Sequence, residues 1–212
     1  MNHELFLYVI TLVMLGGLVL TLVGEIRDYL FLKMVFKPIA SLGFLLIPFL
    51  YYRMESLPQV AMTVALIFSF FGDVLLIFKK RRWFLAGLFA FLMAHVSYGV
   101  TFAAIAFNVA YFFIGAMLCA SFGWFVWRWL HPHVNSVMRV PVLAYISAIM
   151  LMLSLSIAPA KLVPSVFAGA VLFMVSDLFV ARQRFVVTTS LNRIIGLPIY
   201  YLAQFLLATS LI

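Results

Sequence analysis

Apolar residues run through this chain in eight blocks, separated by short stretches that carry nearly all of its charge. A membrane-spanning helix needs about 20 consecutive apolar residues. The breaks in hydropathy place such helices at about 5–24, 33–52, 59–78, 83–106, 109–129, 138–157, 163–181 and 194–212. Within the blocks polar and apolar positions do not alternate, so the strand pattern of an outer-membrane barrel is excluded. Pro141, Pro159, Pro164 and Pro198 interrupt the later blocks; membrane helices tolerate proline where neighbours satisfy the freed carbonyl. The first block has no Lys or Arg ahead of it and is too long for a signal-peptide core, so it reads as a span. The expected fold is an all-α integral membrane protein of eight transmembrane helices, one polytopic unit over residues 1–212.

Composition agrees with that reading. Of the 212 residues, 67% are hydrophobic and 9% charged, whereas soluble domains carry about 25% charged residues. The net charge of +8 does not point to nucleic acid, because the cations sit between apolar blocks, where they meet lipid headgroups and fix topology. Arg27, Lys33, Lys79, Lys80, Arg81, Arg82, Arg128, Arg139, Arg182, Arg184 and Arg193 fall at alternate breaks; the opposite side holds Arg53 and Lys161. The positive-inside rule then puts both termini away from the cytoplasm, the expected location being a bacterial inner membrane. The lone Cys119 offers neither a disulfide framework nor a cysteine metal cluster.

Span 3 ends in FSFFGDVLLIFKK and span 7 in LFMVSDLFVARQR. Each sets a small residue before an aspartate, Asp73 or Asp177, with basic residues about five positions later. Both helices run towards the cytoplasm, so the aspartates are expected roughly 7–9 Å from their helix ends at 1.5 Å per residue. This pattern suggests two four-helix parallel repeats.

Only Lys37, Asp73, His95 and Asp177 are ionisable and well inside a span. A charge in hydrocarbon costs at least about 2.5 kcal/mol on insertion scales, so each is a candidate functional residue. Tyr98 shares a helix face with His95, Ser69 lies one turn before Asp73, and Tyr200, Tyr201 and Gln204 are the polar groups of span 8. Plainer roles compete: Lys37 snorkelling to headgroups, and the aspartates and His95 serving as interhelical hydrogen-bond partners. Two carboxylates and a cation supply an acid and a base when their surroundings differ, which suits acid-triggered cleavage through an oxocarbenium ion. No G-x-S-x-G elbow is present for serine hydrolysis. One histidine with two aspartates is a thin ligand set for zinc, so no metal or other cofactor is expected.

FKP at 36–38, FSFFGDVLL at 68–76, G-x-x-x-F-x-x-x-H-x-x-Y at 87–98, SDLFVA at 176–181 and YYLAQFL at 200–206 occur in that order. As a set they resemble the YhhN/TMEM86 family. The resemblance implies eight membrane helices and, from its animal members, a lysoplasmalogenase. Such a hydrolase cleaves the sn-1 vinyl ether of a lysoplasmalogen to a fatty aldehyde and glycerophosphoethanolamine or glycerophosphocholine. The family's polar positions fall on Lys37, Asp73, His95, Tyr98, Asp177 and Gln204. Its chemistry needs a proton donor and a carboxylate to steady the cation and orient water, expected of Asp73, Asp177 and His95. Lys37, Tyr98, Tyr201, Gln204 and Ser69 are then expected to bind substrate, with His95 and Tyr98 orienting water or the glycerol hydroxyl and Lys37 holding a carboxylate ionised or binding phosphate. The expected partners are a lysophospholipid and membrane lipids. A competing reading uses the same buried charges in a lipid-binding protein or proton-coupled transporter.

Overall fold

The computed structural model describes residues 3–78 and 80–212. Among these residues eight α-helices make up the fold: α1 (His3–Ile26), α2 (Leu30–Tyr51), α3 (Leu57–Leu75), α4 (Arg81–Ile105), α5 (Val109–Leu130), α6 (Ser136–Leu155), α7 (Pro164–Ala181) and α8 (Ser190–Thr209). All eight are long and apolar enough to cross a membrane. Among the described residues there is no strand. The apolar blocks dictate this, since in lipid every backbone N–H and C=O must find a partner inside its own segment. Asn108 and Asn135 cap α5 and α6 by accepting from the N–H groups of Tyr111 and Met138.

Helix ends differ from the hydropathy breaks where backbone geometry, not polarity, decides. The third apolar block runs on to Phe78, but α3 stops at Leu75; Leu76 N–H still donates to Gly72 O, while Ile77 and Phe78 turn back with i→i−3 bonds to Val74 O and Leu75 O. Asp73 therefore lies two residues from its helix end, nearer than expected. Asp177 lies four residues from the end of α7, which continues into a π-helical turn, Arg182–Val186. Lys79, one of the four cations after span 3, lies outside the described residues.

Consecutive helices pair as hairpins, α1 with α2, α3 with α4, α5 with α6 and α7 with α8. Helix α8 also packs on α1, α2 and α3, while α6 packs on α4 and α7. Two three-helix junctions result: α2, α3 and α8 surround Asp73, and α4, α6 and α7 surround Asp177. Gly72 makes the α3–α4 approach possible, because a Cβ there would stand 2.6 Å from the Phe91 ring. Helices α1 and α5 present Leu12, Val19, Phe113, Met117 and Phe125 outward, an exposure that lipid tails accept as readily as a protein core does.

Candidate functional site

Asp73 is built into the frayed end of its helix. The last four carbonyls of any helix lack an intrahelical donor, and Asp73 O is one of them. The Lys37 ammonium on α2 donates to that carbonyl at 3.0 Å and reaches Asp73 Oδ1 at 3.1 Å. A cation here also meets the negative end of the α3 dipole. Side-chain exposure is 5% for Lys37 and 3% for Asp73, so this is a buried ion pair, not a snorkelling lysine. The second carboxylate oxygen, Oδ2, accepts from Ser41 Oγ and Tyr200 OH, each at 2.7 Å. Tyr201 stands behind, its hydroxyl 3.0 Å from Ser41 Oγ and donating to Lys37 O at 3.2 Å. Asp73 is thus provided for as a carboxylate, with a cation on one oxygen and two hydroxyls on the other.

Asp177 has different company. Its Oδ2 accepts from Tyr145 OH at 3.1 Å and lies 3.3 Å from His95 Nε2. The His95 contact is within ion-pair distance but off the alignment of a hydrogen bond. The other imidazole nitrogen, Nδ1, is 2.6 Å from the Phe91 carbonyl, which can only accept, so Nδ1 carries a hydrogen. No protein partner of Asp177 Oδ1 is found among the described residues. The rings of Tyr145 and Phe173 clamp His95, with centroids at 5.2 and 4.7 Å.

Both aspartates line one cavity of about 1060 Å³, counted out to its open side. Its polar lining residues are few: Lys37, Asp73, Tyr145, Ser176, Asp177, Asn192, Arg193 and Tyr200. The remaining wall is largely apolar, with Phe91, Ile146, Ile149, Met150, Met174 and Leu197 among its residues. Two carboxylates in unlike surroundings, one paired with a lysine and one with a histidine, therefore face the same apolar space.

A model of the YhhN family matches residues 32–211. The chain belongs to the YhhN family. Lysoplasmalogenase TMEM86A of Bos taurus is 27% identical over 155 residues, which cover 69% of this chain and 63% of that protein. Lysoplasmalogenase TMEM86A of Homo sapiens shows the same identity and coverage. The match thus spans less than two thirds of the length of these relatives. No solved structure matches. With eight spanning helices, this YhhN chain is an integral membrane protein.

Within this YhhN fold, Lys37, Asp73 and Asp177 share the cavity wall, and the other candidate residues sit behind it. His95 is fully buried and does not line the cavity. Tyr98 donates to Gln204 Oε1 at 2.5 Å in the core, stacked on Phe102, and neither residue reaches the cavity. Among the described residues, Ser69 Oγ and Gln204 Nε2 are buried without a hydrogen-bond partner. Tyr201 is linked to Asp73 indirectly, through Ser41 and Lys37. Neither His95 nor Tyr98 lines the cavity, so the orienting of water or glycerol expected of them is not available by direct contact there. Among the described residues, no three His, Cys, Asp or Glu gather as a metal site.

Sequence reasoning passed over Ser41 and Tyr145, and it grouped Tyr200 with its neighbours without giving it a role. A signal existed: Ser41 and Tyr145 each precede the aspartate they bond by 32 residues, one on α2 and one on α6. Aligning the two aspartates would have superposed these hydroxyls.

Proposed function

We propose that this chain is a membrane-embedded lysoplasmalogenase, hydrolysing the sn-1 vinyl ether of a lysoplasmalogen to a fatty aldehyde and a glycerophosphoethanolamine or glycerophosphocholine. The observation that carries this reading is the pair of separately partnered aspartates facing one otherwise apolar cavity. An apolar wall suits an alkenyl chain, and charges aimed into a dry site act more strongly on a developing cation than they would in water. The names of the relatives support the same reaction.

Asp177 is the proton donor. The Asp177 carboxyl delivers the proton it shares with His95 to the β-carbon of the vinyl ether, leaving an oxocarbenium ion and the Asp177 carboxylate. Asp73, kept as a carboxylate by Lys37, Ser41 and Tyr200, faces that cation and takes a proton from water as the oxygen adds to the α-carbon. The product is a hemiacetal. Asp177 then removes its hydroxyl proton while Asp73 returns a proton to the departing glycerol oxygen, which restores both groups and releases aldehyde and alcohol. Positioned proton transfer of this kind is worth about 10²–10⁴ in rate per group. In this scheme Lys37 and His95 are positioning residues, one for each carboxylate. The scheme includes a cytoplasmic membrane with both termini on its outer side, so that the cavity lies in the cytoplasmic half.

Aldehyde release by purified protein from a vinyl-ether lysophospholipid tests the proposal, with Asp73→Asn and Asp177→Asn as the two variants. Each should lose at least a hundredfold in kcat. Two fully active variants, or wild-type protein that releases no aldehyde, would overturn it.

A further inference from the structure

Arg193, in the first turn of α8, lines two cavities at once. One is the apolar cavity holding the aspartates; the other is a polar space at the same end of the bundle, about 1230 Å³ when counted out into its open side. Leu76, Phe84 and Val180 belong to both walls, so the two spaces adjoin. The polar space takes three cations, Lys33, Arg184 and Arg193, against two carboxylates, Glu25 and Asp28. Lys33 is held by Asp28 at 2.7 Å. Neither arginine has a carboxylate within ion-pair distance among the described residues. Among the described residues, Arg193 Nε and Thr189 Oγ1 are buried without a hydrogen-bond partner, and Thr189 lines this space. Arg184 is laid over the Phe84 ring at 4.3 Å, which fixes its guanidinium beside the shared wall. Buried donors left unmatched on a rigid wall are what an absent acceptor leaves behind.

From this we infer that the polar space is a phosphate subsite, in which Arg193 and Arg184 grip the phosphate of a lysophospholipid whose chain lies in the apolar cavity. The inference rests on the lysophospholipid reading above. Guanidinium groups suit phosphate because their planar fork donates two parallel hydrogen bonds. The spacing is right on both helices. Arg193 precedes Tyr200 by seven residues of α8, about 10 Å at a rise of 1.5 Å per residue, and Arg184 follows Asp177 by seven, the last three in the π-helical turn. A glycerol unit and the reach of an arginine cover that separation. The assignment also relieves Lys37 of the phosphate-binding role, since its ammonium is already engaged by Asp73.

Thermal shift titration of the full-length protein in a neutral detergent tests the subsite without relying on turnover. The probes are a saturated ether lysophospholipid, which has no vinyl bond to cleave, the alkylglycerol of the same chain length, and inorganic phosphate. Wild-type protein should bind the phospholipid at least tenfold tighter than the alkylglycerol. Arg193→Gln and Arg184→Gln should each shrink that ratio at least threefold, and the double variant should bring it near one. Arginine-dependent stabilisation by inorganic phosphate alone would assign the same phosphate chemistry to a soluble source as well as to a lipid. An unchanged ratio in the double variant would overturn the subsite and leave the arginines as topology anchors. Equal loss for phospholipid and alkylglycerol would also overturn it. If Arg193→Gln fails to fold, Arg184→Gln carries the test by itself, its side chain lying over Phe84 at the cavity edge. Failure of the lysoplasmalogenase reading shows separately, as wild-type protein that releases no aldehyde yet keeps the arginine-dependent ratio.

Discussion

His95 Nε2 faces Asp177 Oδ2 at 3.3 Å, while the opposite nitrogen of the same ring is committed to the Phe91 carbonyl at 2.6 Å. With Nδ1 bearing hydrogen, a bare Nε2 lone pair against a bare carboxylate would set two acceptors face to face. A proton therefore belongs to the pair, on the imidazole or on the carboxyl. The full burial of His95 favours the arrangement with no net charge, because an unpaired ion in the hydrocarbon region is costly. Asp73 has the opposite arrangement, with a permanent cation and two hydroxyl donors. Proton-rich and proton-poor carboxyl groups on one cavity are the asymmetry that acid–base hydrolysis requires.

Replacing His95 separates chemistry from binding. His95→Gln keeps a polar side chain near Phe91 and Asp177 but removes the group that shares the proton. The expected result is a fall in kcat of about 10²–10⁴ with KM within threefold of wild type, because His95 does not line the cavity. The pH–rate profile should change shape as well, its acidic or basic limb moving. A purely structural histidine would instead lower melting temperature and leave the limbs in place.

Lys37 and Asp73 form a pair whose halves are worth little apart. Removing one partner of a buried ion pair leaves an uncompensated charge and costs about 3–5 kcal/mol, whereas replacing both by apolar residues is often near neutral. Lys37→Met and Asp73→Leu should each lower the melting temperature, and the double variant should recover a large part of the loss. Activity should be absent in all three. A double variant as unstable as the sum of the singles would show that the two side chains do not compensate one another.

The eight helices were legible because a bilayer demands long apolar blocks, and nothing subtler is needed to see them. Lys37, Asp73, His95 and Asp177 stood out for the converse reason, as charge where charge is expensive. Ser41 and Tyr145 carried no such mark, since hydroxyls in membrane helices commonly bond their own backbone, as Ser97, Ser147 and Ser154 do here. Tyr200 and Tyr201 are neighbours in sequence but point about 100° apart on a helix of 3.6 residues per turn. Only packing shows that Tyr200 meets the carboxylate while Tyr201 meets Ser41. The end of α3 was misplaced because Leu76–Phe78 are as apolar as the helix before them. That early end matters, for it frees the Asp73 carbonyl that Lys37 binds.

The distribution of Lys and Arg makes a claim about sidedness that fusions can read directly. A reporter active only outside the cytoplasm, such as alkaline phosphatase, should be active when fused after Ile212 and inactive when fused in the break between Arg128 and Arg139. A fluorescent protein that matures only in the cytoplasm should give the reverse pattern. The opposite outcome would move the cavity to the outer leaflet and with it the side from which substrate enters.

The apolar wall sets a final expectation, about the length of chain the cavity accepts. Ile149 lines the cavity one helical turn from Tyr145, the residue that bonds Asp177, so a larger side chain there takes up chain space close to the reacting end. Ile149→Trp should leave the Asp177 contacts intact and displace several methylenes of a long alkenyl chain. Each buried methylene is worth about 0.8 kcal/mol, so excluding two or three costs a long-chain substrate about 2 kcal/mol and a short one little. The ratio of kcat/KM for a long chain to that for a chain six carbons shorter should then fall at least tenfold. Ile149→Ala should preserve or raise the same ratio. If both variants change the two substrates equally, the chain does not lie along α6, and the wall formed by Phe91 and Met174 becomes the place to test.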